Sequence, residues 1–213
     1  MCWNAAISLN TFLFSSFVLA LIIYNNAFTA YKIPELNNRW VYFFIASFVL
    51  MQLIEFFIWR NINNLFYNNV FSILASLLLA MQPAISIMIL SNTQLRNILL
   101  TLYLLLAVPY SAYKFSTLYV YSEISRLHHL IWNFFDITPI IRGIWFFFLL
   151  FSLVYERKWF AVIFGLAALL VVYINYINDR SVWSMWCWGV NAAMIYYACY
   201  LLLYLPYLDN SGA

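Results

Sequence analysis

WFAVIFGLAALLVVYINYI, residues 159–177, decides the fold class. The stretch carries no charge and is bounded by Glu156-Arg157-Lys158 before it and Asn178-Asp179-Arg180 after it. A helix crossing ~30 Å of hydrocarbon needs roughly 20 mostly apolar residues at ~1.5 Å of rise each. Residues 159–177 fit that length, and the clustered charges fit the two water-facing ends. The run is long and continuous, whereas a barrel strand would alternate apolar and polar positions over about ten residues.

The same pattern recurs outward in both directions. Apolar runs cover residues 5–24, 40–59, 65–90, 97–113, 139–155 and 182–204, so seven transmembrane helices are expected in one domain over 1–213. Polar breaks separate them, among them Asn25-Asn26, Arg60-Asn61 and Ser91-Asn92. Trp40, Trp59, Trp159 and Trp183 lie at span ends, as an aromatic belt requires. The start of the chain lacks a basic n-region and its run is long enough to span, so it reads as the first span and not as a cleaved signal.

Composition agrees. The 213 residues are 67% hydrophobic, 22% aromatic and 8% charged. A soluble domain is roughly half apolar and a quarter charged, and too much of a small domain is surface to hide this excess. The formal charge is +3, with basic residues scattered. No cluster points to nucleic acid or to a polybasic lipid anchor. The expected partner is the lipid bilayer, with a homo-oligomer open. The expected fold is an all-α polytopic membrane bundle. Within 114–138, Val120, Ile124, Leu127, Ile131 and Phe134 recur at helical spacing around Glu123, Arg126 and His129. That spacing predicts an interfacial amphipathic helix in the loop between spans four and five.

Chain direction sorts the polar residues. The side holding the N-terminus is termed side A, and the opposite side B. Span two brings Gln52 and Glu55 to the side A half, and span seven brings Trp183, Trp186, Cys187 and Asn191. Cys2, His128, His129, Asp136 and Arg142 belong to the same half. A pocket is therefore expected to open toward side A. The Lys/Arg count is level at five on each side: Lys32, Arg39, Arg96, Arg157 and Lys158 against Arg60, Lys114, Arg126, Arg142 and Arg180. Counting Arg142 as intramembrane leans the N-terminus to the non-cytoplasmic side.

Glu55 is the sharpest candidate. A charge at mid-membrane costs about 2.5–3.5 kcal/mol on insertion scales. It is read either as an acid/base or ligand-binding carboxyl, or as an interfacial Glu paired with Arg60 or Arg142. Gln52 lies on the same helical face and can hydrogen-bond it. Gln82-Pro83 interrupts span three; Gln82 either satisfies backbone groups freed by the proline or lines a cavity at a broken helix. Ligand-binding candidates are Gln52, Gln82, Arg142, Trp186 and Asn191. Cys2, His129 and Cys187, with Glu55 or Asp136, are chemically able to hold a transition metal, although no zinc-finger or HExxH spacing is present. The alternatives are a Cys2–Cys187 disulfide in an oxidising compartment, and imidazoles that merely sit among headgroups. Span seven has no Lys, so no retinal Schiff base is expected.

Met1-Cys2-Trp3-Asn4, an acidic residue in span two (Glu55), Gln82-Pro83 in span three, His129 with Trp132 before span five, and Trp186-Cys187 in the last span form a pattern. It resembles an uncharacterised family of small polytopic membrane proteins of bacteria and large DNA viruses of algae and protists. The resemblance implies the same candidate positions and names no reaction. Three functions follow as expectations: a small-ligand or metal site in the half nearest the N-terminus, a proton or ion path using Glu55, or a structural, viral membrane component without catalysis.

Overall fold

The computed structural model describes residues 4–117 and 120–207. Its helices are α1 (Ala5–Phe28), α2 (Arg39–Arg60), α3 (Leu65–Ile87), α4 (Thr93–Thr117), α5 (Pro139–Tyr155), α6 (Trp159–Tyr176), α7 (Val182–Asn191) and α8 (Ala193–Cys199). Among the described residues six helical segments are long and apolar enough to cross a bilayer, the last running from Val182 to Tyr207 through α7, α8 and a π-turn at Tyr200–Tyr204. The protein is an integral, multi-pass, all-α membrane protein. Helix α5, with 17 residues, is shorter than these six segments; at ~1.5 Å per residue it spans about 26 Å.

Local chemistry sets the helix starts. Asn4, Asn38 and Asn64 each turn a side-chain oxygen onto an N–H of the first turn, at Ile7, Trp40 and Tyr67. An Asn cap satisfies donors that have no intrahelical partner. Pro139 opens α5, where its missing N–H costs nothing.

Packing runs α1–α2–α3–α5–α6–α7 and returns from α7 and α8 to α1, while α4 lies outside this ring against α3. Small residues allow the close approaches. The Ser86 hydroxyl donates to the Leu149 carbonyl at 2.7 Å and meets the Ser152 hydroxyl at 2.7 Å, which joins α3 to α5.

Pro83 sits inside α3 and leaves the carbonyl four residues earlier, on Leu79, without its helical donor. The Trp145 indole of α5 supplies the replacement at 2.8 Å. Gln82, expected either to satisfy backbone groups freed by the proline or to line a cavity at a broken helix, is fully buried, and neither amide atom has a hydrogen-bond partner among the described residues, so it does not satisfy them. The ring nitrogen reaches across a helix interface that the sequence does not reveal.

The loop after α4 departs from expectation. In place of an interfacial helix it forms an antiparallel hairpin, β1 (Ser122–Ile124) with β2 (Leu130–Trp132), followed by a 3-10 turn at Asn133–Phe135. The residues at helical spacing do not share a buried face: Val120, Ile131 and Phe134 are buried, but Ile124 is 42% and Leu127 60% exposed. Two anchors explain the extended form. Asn68 of α3 imitates a neighbouring strand, its side-chain oxygen accepting from the Ser122 N–H and its amide donating to the Ser122 carbonyl, both at 2.9 Å. Asp179, after α6, accepts from the Ser125 hydroxyl at 2.7 Å and the Ser181 hydroxyl at 2.8 Å. His128 takes the left-handed conformation, φ 59°, which ends helical propagation at that point.

Candidate functional site

Helices α2 and α7 bring buried polar groups together. Gln52 and Glu55, three apart on α2, and Cys187, on α7, are wholly buried, and Asn191 is 4% exposed. The Asn191 amide donates to the Cys187 carbonyl at 2.9 Å and across the interface to the Phe48 carbonyl at 3.2 Å. In a helix the Phe48 carbonyl is also the acceptor for the Gln52 N–H, so Asn191 lies against the turn that carries Gln52. The Glu55 carboxyl is within electrostatic range of the Cys187 thiol. Neither Arg60 nor Arg142 forms an ion pair with Glu55; the ion pairs among the described residues are those of Arg180 with Glu123 and Asp136.

This core is short of partners. Both amide atoms of Gln52 and the side-chain oxygen of Asn191 have none among the described residues, and neither do the hydroxyls of Ser8 and Ser15 on the adjoining α1. A buried amide without a partner costs roughly 1–3 kcal/mol. Folds avoid such groups unless something else uses them.

A cavity of about 110 Å³ reaches Asn191, walled by Phe44, Phe48, Phe160, Trp186 and Tyr197. It runs to Glu35 and Lys158, which lie by the start of α2 and the turn before α6. That is side B. The expected opening toward side A is thus not where the cavity at Asn191 leads, because the hairpin closes that end: the Ser184 hydroxyl, three residues before Cys187, donates to the Leu130 carbonyl at 2.6 Å. Trp186 contributes a wall and structural support together, its indole donating to the Gly165 carbonyl at 2.9 Å while its ring meets Phe48, Trp145 and Phe146.

The remaining sequence candidates fall elsewhere. Arg142, proposed as a counter-charge to Glu55, lies with its guanidinium 4.8 Å over the Trp183 ring and donates to the Ile137 carbonyl at 2.9 Å. It borders a separate cavity of about 210 Å³ that also holds Arg180, Asp136 and Tyr173. His129 is buried in the hairpin, edge-on to Tyr176, and His128 is exposed. Burial pushes the His129 imidazole below its ordinary pKa; nearby His128 adds to this and the Asp179 carboxylate opposes it. Cys2 lies outside the described residues. Among the described residues no group of three or more His, Cys, Asp or Glu is placed to hold a metal ion.

Sequence reasoning missed three anchors and one cation. Asn68 and Asp179 pin the hairpin, Trp145 completes α3, and Lys114, counted as a loop residue, is buried in the last turn of α4. Only Lys114 left a trace: the apolar pattern of span four continues past it to Phe115. No protein family, curated protein or solved structure matches the chain.

Proposed function

We propose that this membrane protein binds a small, mainly apolar ligand with one polar end in the core between α2 and α7. The observation that carries the reading is Gln52, whose buried amide has no partner among the described residues for either of its polar atoms and lies beside a buried carboxyl. Gln52, Glu55 and the side-chain oxygen of Asn191 would meet the polar end. The cavity lined by Trp186 and Phe48 would take the apolar body. In this reading α5 is a seventh span, the chain termini lie on opposite sides, and the N-terminus faces away from the cytoplasm.

The small-ligand reading is preferred to an ion path because the cavity from Asn191 to side B is walled by aromatic and aliphatic groups. An ion there would lose its hydration without receiving ligands in return. The metal version of the site draws on Cys2, Cys187 and His129, and elemental analysis of the purified protein tests it directly.

Native mass spectrometry of protein extracted in mild detergent tests the ligand reading. Wild type is expected to carry a non-covalent adduct of defined mass that Gln52→Leu and Glu55→Gln both lose. An adduct retained in both variants, or none in wild type, sinks the proposal. Proton flux in liposomes that depends on Glu55 would replace it with the pathway reading.

A further inference from the structure

A second cavity, unrelated to the polar core, lies between α4 and α5. The two helices are in contact toward side B, where Tyr103 packs on Phe148 with ring centroids 5.2 Å apart, and Leu99, Leu90 and Ile87 join the same cluster. Toward side A they part. The gap is a cavity of about 290 Å³ walled by Leu79, Leu106, Ala107, Ile141 and Ile144. That volume is near the lower end of the ~300–1,000 Å³ typical of small-molecule sites.

Lys114 lines this cavity, with Ser111 and Tyr110 beside it. Lysines near helix ends ordinarily extend to the headgroup layer, but Lys114 is only 6% exposed. Among the described residues no hydrogen bond or ion pair engages its ammonium. The carboxylate in its electrostatic range, Asp136, is held by Arg180 at 3.4 Å. A buried cation that no counter-charge contacts is among the costliest groups a fold can keep.

The geometry points to a fatty-acid site: a long-chain carboxylate with its head on Lys114 and its single chain in the gap between α4 and α5. Three features favour this occupant. Among the described residues the only cation in the cavity wall, Lys114, is at the membrane-surface end. The walls beyond it are mainly apolar, with Ser76 and the tyrosines Tyr103 and Tyr110 among them. From Lys114 to Tyr103 the cavity follows α4 for about 16 Å along the helix axis, in the direction a lipid tail takes from the surface. A two-chain phospholipid would need a wider gap.

Equilibrium binding of radiolabelled palmitate to the delipidated full chain in detergent tests the site. Wild type is expected to bind saturably. Lys114→Met should weaken binding about ten-fold or more by removing the charged partner, and Lys114→Arg should largely retain it. Ala107→Phe, which fills the gap, should abolish it. On wild type, methyl palmitate should compete poorly because it lacks the charge, and this comparison holds even if Lys114→Met fails to fold. Binding unchanged in Lys114→Met or Ala107→Phe, equal competition by the neutral ester, or displacement by phosphatidylglycerol as effective as by palmitate itself would each overturn the assignment, the last in favour of an anionic phospholipid.

Discussion

Leu79 loses a helical donor to Pro83 and regains one from Trp145. The pair is therefore coupled, and a double-mutant cycle measures it. Trp145→Phe should cost about 1–3 kcal/mol in thermal or denaturant unfolding, because a buried carbonyl is left bare. With Pro83→Ala in the background the helix supplies its own N–H, and the same change should cost distinctly less. Equal costs in both backgrounds would show that the indole is only packing. Gln52 and Gln82 support the opposite experiment. Each is fully buried with two polar atoms that have no partner among the described residues, so in ligand-free protein Gln52→Leu and Gln82→Leu should each raise stability, by up to about 1–3 kcal/mol. A fall in stability on either substitution would mean that the amide is engaged within the fold. Gln82 was prominent in the sequence for its place beside proline; its solution to the missing bond was illegible because it comes from another helix.

The hairpin is held by side chains of three segments, and its stability should depend on them more than on its own short ladder. Asn68→Leu removes both bonds to Ser122 and should undock β1 at a cost of about 1–3 kcal/mol, read as faster amide exchange at Ser122 with the helices unchanged. The hairpin should also respond to pH. Burial holds His129 below its ordinary value, so as pH falls below about 6.5 the undocked loop takes up a proton before the docked one does. Docking is then at full strength above that pH and weakens below it, until the docked imidazole is itself protonated. Exchange at Ser125, corrected for intrinsic rates, should be faster at about pH 5.5 than at about pH 7.5, and His129→Gln should flatten the difference. Apolar spacing over 120–134 suggested a helix because period alone ignores partners. Asn68 and Asp179 lie 54 residues in sequence from the Ser122 and Ser125 that they hold, one on either side, and they decide the outcome.

Across the whole molecule, the helices were legible because each carries its own signal in length and hydropathy. The end of α4 was misjudged at Lys114, where one charge suggested a loop in a helix that runs on to Thr117. The grouping of Gln52 and Glu55 with Cys187 and Asn191 followed from chain direction alone. Which end the nearby cavity reaches did not, since that depends on how the hairpin folds over side A. If α5 crosses the bilayer, cysteines placed at Asn61 and Asn178 should react with an impermeant thiol reagent from one side, and cysteines at Asn92 and Glu156 from the other. Labelling of Asn61 and Asn178 positions from opposite sides would leave α5 as a non-spanning helix.

The Trp145–Leu79 bond also has a consequence for biosynthesis. The donor is made 66 residues after its acceptor, on the order of ten seconds later at ribosomal speed. The Ala80 carbonyl next to it receives the Tyr103 hydroxyl after only 23 residues. A nascent chain that has inserted four helices therefore holds an incomplete α3 in the lipid until the fifth arrives. Nascent chains arrested before Trp145 should remain with the insertion machinery or recruit quality control, and those arrested after α5 has cleared the ribosome should be released.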